Sequence, residues 1–425
     1  MKEDLLHFIW LHRKYPMNGL VSTTGETIFV HTPGNHNQLS GPDFFNAKIE
    51  LDDQLWAGNV EIHLKSSDWY AHKHQEDMNY DNVILHVVWK DDVSVFRKDG
   101  SRIPTLSLRN YLSENLLSYY QKLFNANNYN FVNCERELGD VDNFLRDNWI
   151  DRLYVERLEQ KSVYIDQLLK ETHNNWEHVL FLMLLKNFGS NINGELFLAL
   201  GKSLDFSIIR KLHGRPLEME SLFMGQVGLL AEEQGKDSYQ DALRSDYQYL
   251  KHKFGLEPVY GIPEFFKLRP SNFPTIRLSQ LATVYTTNTN LFNDLILSDT
   301  PDLSAVLSAG ASPYWETHYT FGKTSPKRKK NISKAFLELI LINTIIPLKF
   351  CYQKYKGDVD VDSLLGLMLS TRVEGNTIIE KFQVLGVPVL NAKDSQGYLH
   401  LYKEYCSKDK CLDCAIGAHL MNIKV

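Results

Sequence analysis

Asp43, Glu61, His63 and Lys65 are residues of this 425-residue chain whose types and spacing could do chemistry. Pro42 and Asp43 stand immediately before an apolar-rich segment. Glu61, His63 and Lys65 take alternate positions in the run VEIHLK, with Val60, Ile62 and Leu64 in the others. That period of two is the pattern of a strand with one polar face. Neighbouring antiparallel strands lie about 4.8 Å apart, so Asp43 before one strand and Glu61 on the next can converge on a cation. Magnesium or manganese takes such hard oxygen ligands, often one or two carboxylates completed by water and phosphate. An ion held there would activate water for attack on a phosphodiester, with Lys65 or His63 orienting the water or offsetting the developing charge. A solvated strand face would carry the same alternation with no chemistry at all.

Histidine is concentrated in the same region. Eight of the fifteen, namely His7, His12, His31, His36, His63, His72, His74 and His86, fall in the first ninety residues. His72 and His74 with Asp77 form an H-x-H…D pattern suited to a transition metal. Helical positions two apart diverge, so this pair serves one ion only if the backbone is irregular, and a structural role is the expectation. His86, inside the apolar run VILHVVW, reads as a hydrogen-bonded core histidine or as a contact to the site from below.

Three of the five cysteines, Cys406, Cys411 and Cys414, fall in a C-x4-C-x2-C pattern. Such a trio marks a zinc or iron–sulfur site needing a fourth ligand, with His419, His400, Cys351 and Cys134 as candidates. Three inert thiols on a helix are the alternative. The segment 321–336 carries Lys323, Lys327, Arg328, Lys329, Lys330 and Lys334 without an acid, which suits a phosphate backbone. Arg269 and Arg277 flank the NFP turn, where arginine forks could grip phosphate. Arg269, Arg277, Lys327, Arg328, Lys329 and Lys330 are therefore the expected nucleic-acid contacts, against solvated-loop and helix-capping explanations.

The elements needed to position these groups can be read from the pattern. Leu5, Leu6, Ile9 and Trp10 lie on one side of a short helix, and TIFVH (27–31), 44–51 and the strand through Glu61 follow with turns at Pro33-Gly34 and Asp52-Asp53. Ser67-Asp68 opens a helical stretch to about Tyr80, and Val83–Trp89 is a strand covered on both faces. The order is α-β-β-β-α-β, with a hairpin about Asp99-Gly100 closing a domain at about residue 110. Residues 111–405 read as a mainly helical domain, possibly divisible, and 406–425 as a cysteine segment packed upon it. The fold class is α+β. A net charge of −6 excludes a uniformly basic nucleic-acid binder but not a local basic face. The N-terminus lacks a secretory pattern, and Ala335–Phe350 falls short of the roughly 20 apolar residues of a membrane span. Few cysteines without even spacing fit a cytoplasmic protein.

Pro42-Asp43 followed by Glu61-Ile62-His63 in this element order resembles the PD-(D/E)XK nuclease superfamily. The resemblance implies a metal-dependent nuclease acting on DNA or RNA, with Asp43 and Glu61 on magnesium or manganese. His63 stands where that superfamily has lysine, so His63 takes the role, Lys65 reaches in, or catalysis is lost and a nucleic-acid-binding scaffold remains. A histidine-rich metalloenzyme using His63, His72, His74 and His86 on a small substrate is the other class. Over nearly the whole chain, the runs GPDFFNAKIE, GNVEIHLKSSDWYAHKH, YDNVILHVVW, RPSNFPTIRLSQLA and YCSKDKCLDC resemble an uncharacterised bacterial family classed as a domain of unknown function, which implies no activity.

Overall fold

The computed structural model describes residues 2–37, 39–124, 130–231, 237–298, 301–307 and 309–422. An N-terminal sheet is followed by a helical region, so the chain is α+β. It divides into two compact units. The first comprises Met1–Trp149, Lys381–Val387 and Leu401–Val425, and the second Ile150–Glu380 and Pro388–His400.

The first unit opens with α1 (Glu3–Leu11), whose Leu5, Leu6, Phe8, Ile9 and Trp10 are buried. Then come β1 (Leu20–Val21), β2 (Thr27–Thr32), β3 (Asn35–His36), β4 (Phe44–Leu51) and β5 (Gln54–Lys65). The short helix α2 (Asp68–Ala71) and two 3₁₀ turns lead to β6 (Val83–Lys90), β7 (Thr105–Ser107) and α3 (Glu114–Leu123). The sheet order is β1-β2-β4-β5-β6-β7, with β3 beside β4. β2, β4 and β5 pair antiparallel, whereas β6 joins β5, and β7 joins β6, in parallel. Antiparallel neighbours need only a tight turn, supplied between β4 and β5 by Asp52 and Asp53 with φ of +45° and +63°. The parallel β5–β6 pair requires a crossover, and residues 66–82 provide it. The long strands, α2 and β6 follow the expected α-β-β-β-α-β order. Val83 to Val88 are all buried, as a strand covered on both faces must be.

Four expectations are corrected. The helix expected to reach about Tyr80 stops at Ala71, because Lys73 adopts a left-handed conformation (φ +61°, ψ +31°). The hairpin about Asp99-Gly100 reduces to one bridge, Phe96 to Arg102, since Thr105–Ser107 pairs instead with the edge of β6. The first unit extends beyond residue 110 to Trp149, because Leu116, Tyr120 and Leu123 of α3 join the core beneath the sheet. The C-terminal cysteine segment also belongs to this unit and not to the helical one: Met421 enters the same core, with Cys411, Leu412 and Ala418 packed against it.

The second unit is helical around a large apolar core, built in part from Trp176–Phe188, Pro216–Gln226 and Pro274–Thr287. One helical run, Lys334–Lys356, is long and apolar enough by length and composition to cross a membrane, whereas Ala335–Phe350 was expected to fall short. A π turn over Leu341–Ile345 carries the helix into Pro347, so the proline does not end it. Of its most apolar stretch, 67% is buried within the protein.

Gly58 shows how tightly β5 meets the crossover. A Cβ there would stand 2.5 Å from Ile84 Cγ2 and 2.7 Å from the Asn82 carbonyl oxygen. Gly58→Ala is expected to destabilise the first unit by about 1–3 kcal/mol, measured by urea denaturation. Gly366→Ala, in a helix with nothing within 4 Å, is the control and should be neutral or slightly stabilising.

Candidate metal centre

Asp43 is delivered by a loop built around Asn37. The Asn37 side-chain amide donates to the carbonyls of Leu39, Ser40 and Pro42 at 3.1, 3.2 and 3.1 Å, and its backbone N–H donates to the Asp43 carbonyl at 2.7 Å. Gly41 turns the chain with φ of +102°, a conformation that favours glycine. The β4–β5 register sets Phe44 against Val60, which brings the preceding residue, Asp43, alongside Glu61. Backbone groups fix both carboxylates: the Asp43 N–H donates to Glu61 Oε2 at 3.1 Å, and the Ile62 N–H donates to Asp43 Oδ2 at 2.9 Å. From α1, His7 Nε2 approaches Asp43 Oδ2 to 3.3 Å.

The imidazoles gather on the other oxygen of Glu61. Its Oε1 lies 3.5 Å from His63 Nε2 and 3.3 Å from His74 Nε2. His63 Nε2 is 3.1 Å from His72 Nδ1, and His63 Nδ1 shares a 2.8 Å hydrogen bond with His86 Nε2. The parallel register pairs Glu61 with His86, which accounts for His86 reaching His63. One ligating atom from each of His63, His72 and His74 falls within 4.8 Å of the others. The left-handed Lys73 makes this possible, since it reverses the chain between α2 and the 3₁₀ turn that begins at His74. His74 is fixed by stacking on Tyr80 at 3.8 Å between ring centroids.

Glu61 and His63 are 4% and 2% exposed, and His86 is fully buried. Burial, reinforced by the charge of Asp43, pushes the Glu61 carboxyl up to about 9. Burial and the neighbouring imidazoles push His63 down to about 2, and burial takes His86 to about 3. Burial also acts to lower His7, but its pairing with the Asp43 carboxylate prevails and raises it. Neutral imidazole is the form that ligates metals. A buried carboxyl among neutral rings is neutralised either by a proton or by a cation. His74 Nε2 is buried without a hydrogen-bond partner among the described residues, and it faces Glu61. Three nitrogens and one carboxylate fit zinc or iron(II), while the Asp43–Glu61 carboxylates fit magnesium or manganese.

The fold thus brings Asp43, Glu61 and His63 together. Lys65 is exposed at the end of β5, its backbone N–H donating to Asp68 Oδ2 at 3.0 Å, and its side chain forms no ion pair or hydrogen bond with the cluster among the described residues. His72 and His74 were expected in a structural role, and the H-x-H spacing was the signal that could have found them. In the second unit, Arg269, Lys327, Arg328 and Lys329 are exposed. Arg277 and Lys330 are not phosphate contacts. The Arg277 guanidinium lies 3.5 Å over the Phe336 ring and donates to Gln280 and Asn272, while Lys330 donates to the carbonyls of Trp315 and Glu316. Cys406, Cys411 and Cys414 line one small cavity with Cys134.

A mixed sheet whose paired acids meet a cluster of imidazoles defines an α+β protein with a candidate metal centre in its N-terminal unit. The chain belongs to the family described as "Protein of unknown function (DUF2851)", whose model matches residues 3–377. No curated protein and no solved structure matches it.

His86 gives a pH test on chelator-treated protein. Its folded-state value of about 3 lies below the ordinary 6.5, so between these the unfolded chain binds a proton that the folded chain does not. Stability is therefore expected to fall as pH drops through 6.5, at about 1.4 kcal/mol per pH unit for this group. His86→Gln should lessen that slope in denaturation curves taken from pH 7 to pH 4. An unchanged slope would mean that the ring is charged within the fold.

Proposed function

We propose that the first unit is a metal-dependent phosphodiesterase acting on DNA or RNA, a divergent relative of the PD-(D/E)XK nucleases. The observation that carries this reading is the meeting of the two acids across adjacent strands, with Glu61 Oε2 accepting from the Asp43 N–H and Asp43 Oδ2 accepting from the Ile62 N–H, within the α-β-β-β-α-β order. A bound magnesium or manganese ion would supply Lewis acidity and a more acidic water. Asp43 and Glu61 would hold it, with Glu61 buried and Asp43 half-buried at the accessible side. His63 takes the place of the expected lysine and brings different chemistry. As a neutral ring it offers Nε2 as a ligating or hydrogen-bonding nitrogen beside Glu61, while its Nδ1 shares a hydrogen bond with His86 that orients the ring. Free thiols at all five cysteines fit a reducing compartment such as the cytoplasm.

The test is cleavage of single- and double-stranded DNA and of RNA in manganese or magnesium. Asp43→Asn and Glu61→Gln should each lower the rate at least a hundredfold, roughly the range for loss of a ligand or a proton-transfer group. Cleavage that persists in both variants removes the site. Binding without cleavage in the wild-type chain makes the protein a catalytically silent nucleic-acid binder.

The convergence of His63, His72 and His74 within 4.8 Å favours a second reading, a histidine-rich metalloenzyme acting on a small substrate. In that case the purified protein retains zinc or iron, His72→Ala weakens the retention by about 10–100-fold, and small phosphoesters turn over where nucleic acids do not.

For the nucleic-acid reading, the exposed Lys327, Arg328 and Lys329 supply phosphate contacts. Replacing all three by Gln should reduce the slope of log affinity against log salt by up to about 3. An unaltered slope would remove this segment from the interface.

A further inference from the structure

We infer that Cys134, Cys406, Cys411 and Cys414 hold a [4Fe–4S] cluster in the first unit, with Cys134 as the fourth ligand. The four thiols line a single cavity of about 20 Å³ together with Leu138 and Phe382. None of the other candidates for the fourth place, Cys351, His400 and His419, lines this cavity. All five cysteines are free thiols, so no disulfide explains the grouping.

Spacing decides between one ion and a cluster. Four thiolates at about 2.3 Å from a tetrahedral zinc lie about 3.8 Å apart. Among the described residues, the only three ligating groups within 4.8 Å of one another are the imidazoles of His63, His72 and His74, so no three of these thiols come that close. A single ion would draw the sulfurs into contact and leave no room between them, yet here a space large enough for a water-sized sphere remains. A cubane binds each thiolate through a different iron, which suits sulfurs arranged round a central space.

Burial and mutual proximity disfavour four separate charges, and Cys134, Cys406, Cys411 and Cys414 all have raised values for the first of these reasons. Donors are nevertheless aimed at the sulfurs. The backbone N–H groups of Ile416 and Gly417 serve Cys414, and the Asn133 amide lies 3.5 Å from Cys411 Sγ. Hydrogen bonds to sulfur are a means by which proteins stabilise bound clusters. Gly417 permits this arrangement, because a Cβ there would stand 2.0 Å from the Cys411 carbonyl oxygen. Assembly from two ferrous ions, two ferric ions and four sulfides releases four thiol protons to solvent as the thiolates bind, and changes no cysteine oxidation state.

The test is anaerobic purification of the full chain, followed by reconstitution of chelator-treated protein with equal amounts of ferrous and ferric iron and with sulfide. The wild type should carry about four irons and four acid-labile sulfides with a broad visible absorption. Cys134→Ser should lose most of the iron, whereas Cys351→Ser should keep it. Native mass spectrometry of the wild type weighs the bound group without any variant, so misfolding of Cys134→Ser cannot hide the answer. Stoichiometric zinc without sulfide overturns the cluster, a full iron complement in Cys134→Ser overturns the fourth ligand, and failure to bind iron after reconstitution overturns the site. None of these results depends on the phosphodiesterase reading.

Discussion

Glu61 carries its carboxyl into a site from which water is nearly excluded, between the backbone of Asp43 and the rings of His63 and His74. An uncompensated charge there would cost several kcal/mol, so the surrounding structure must answer it. Two features of the fold supply that answer. The antiparallel register sets the Asp43 N–H on one oxygen, and the crossover after β5 sets imidazole nitrogens near the other. Other arrangements in the unit follow from the same requirement. The Asn37-centred loop fixes Asp43, α1 offers His7, and β6 buries His86 where it can orient His63.

Much of this was legible in the sequence because it is local. Alternation through VEIHLK places Glu61 and His63 on one face, and Pro42-Asp43 before an apolar strand places the second acid at a strand start. The contribution of His72 and His74 was obscured by one backbone conformation. Helical geometry separates positions two apart, and nothing in the residue type of Lys73 announces the left-handed φ that reunites them. Cys134 was one of four candidates to join the C-terminal trio, and because it stands far from them in sequence, only the tertiary fold shows that it lines the same cavity.

The basic residues of the helical unit show the opposite failure, in which composition overstates what is available at the surface. Arg277 lies over Phe336 and satisfies its donors on Gln280 and Asn272, and burial lowers it to about 10. Lys330 ties Trp315 and Glu316 to its own strand-like segment. A long cationic side chain can serve as a structural tie through its stem and its donors, and a linear sequence does not distinguish that use from a solvated one.

The sheet-bearing unit is assembled from segments that leave the ribosome at widely separated times. After Trp149 emerges, about 250 residues pass before Leu401 and the last helix that packs into the same core. At about 5–20 residues per second, the interval is on the order of ten to fifty seconds. During it, the sheet, α1 and Cys134 are present without Met421 and its neighbours, leaving apolar surface uncovered. The unit made first is therefore completed last. Its nascent form is a natural client for chaperones, and a ribosome stalled within the helical segment would release a sheet unit lacking part of its core.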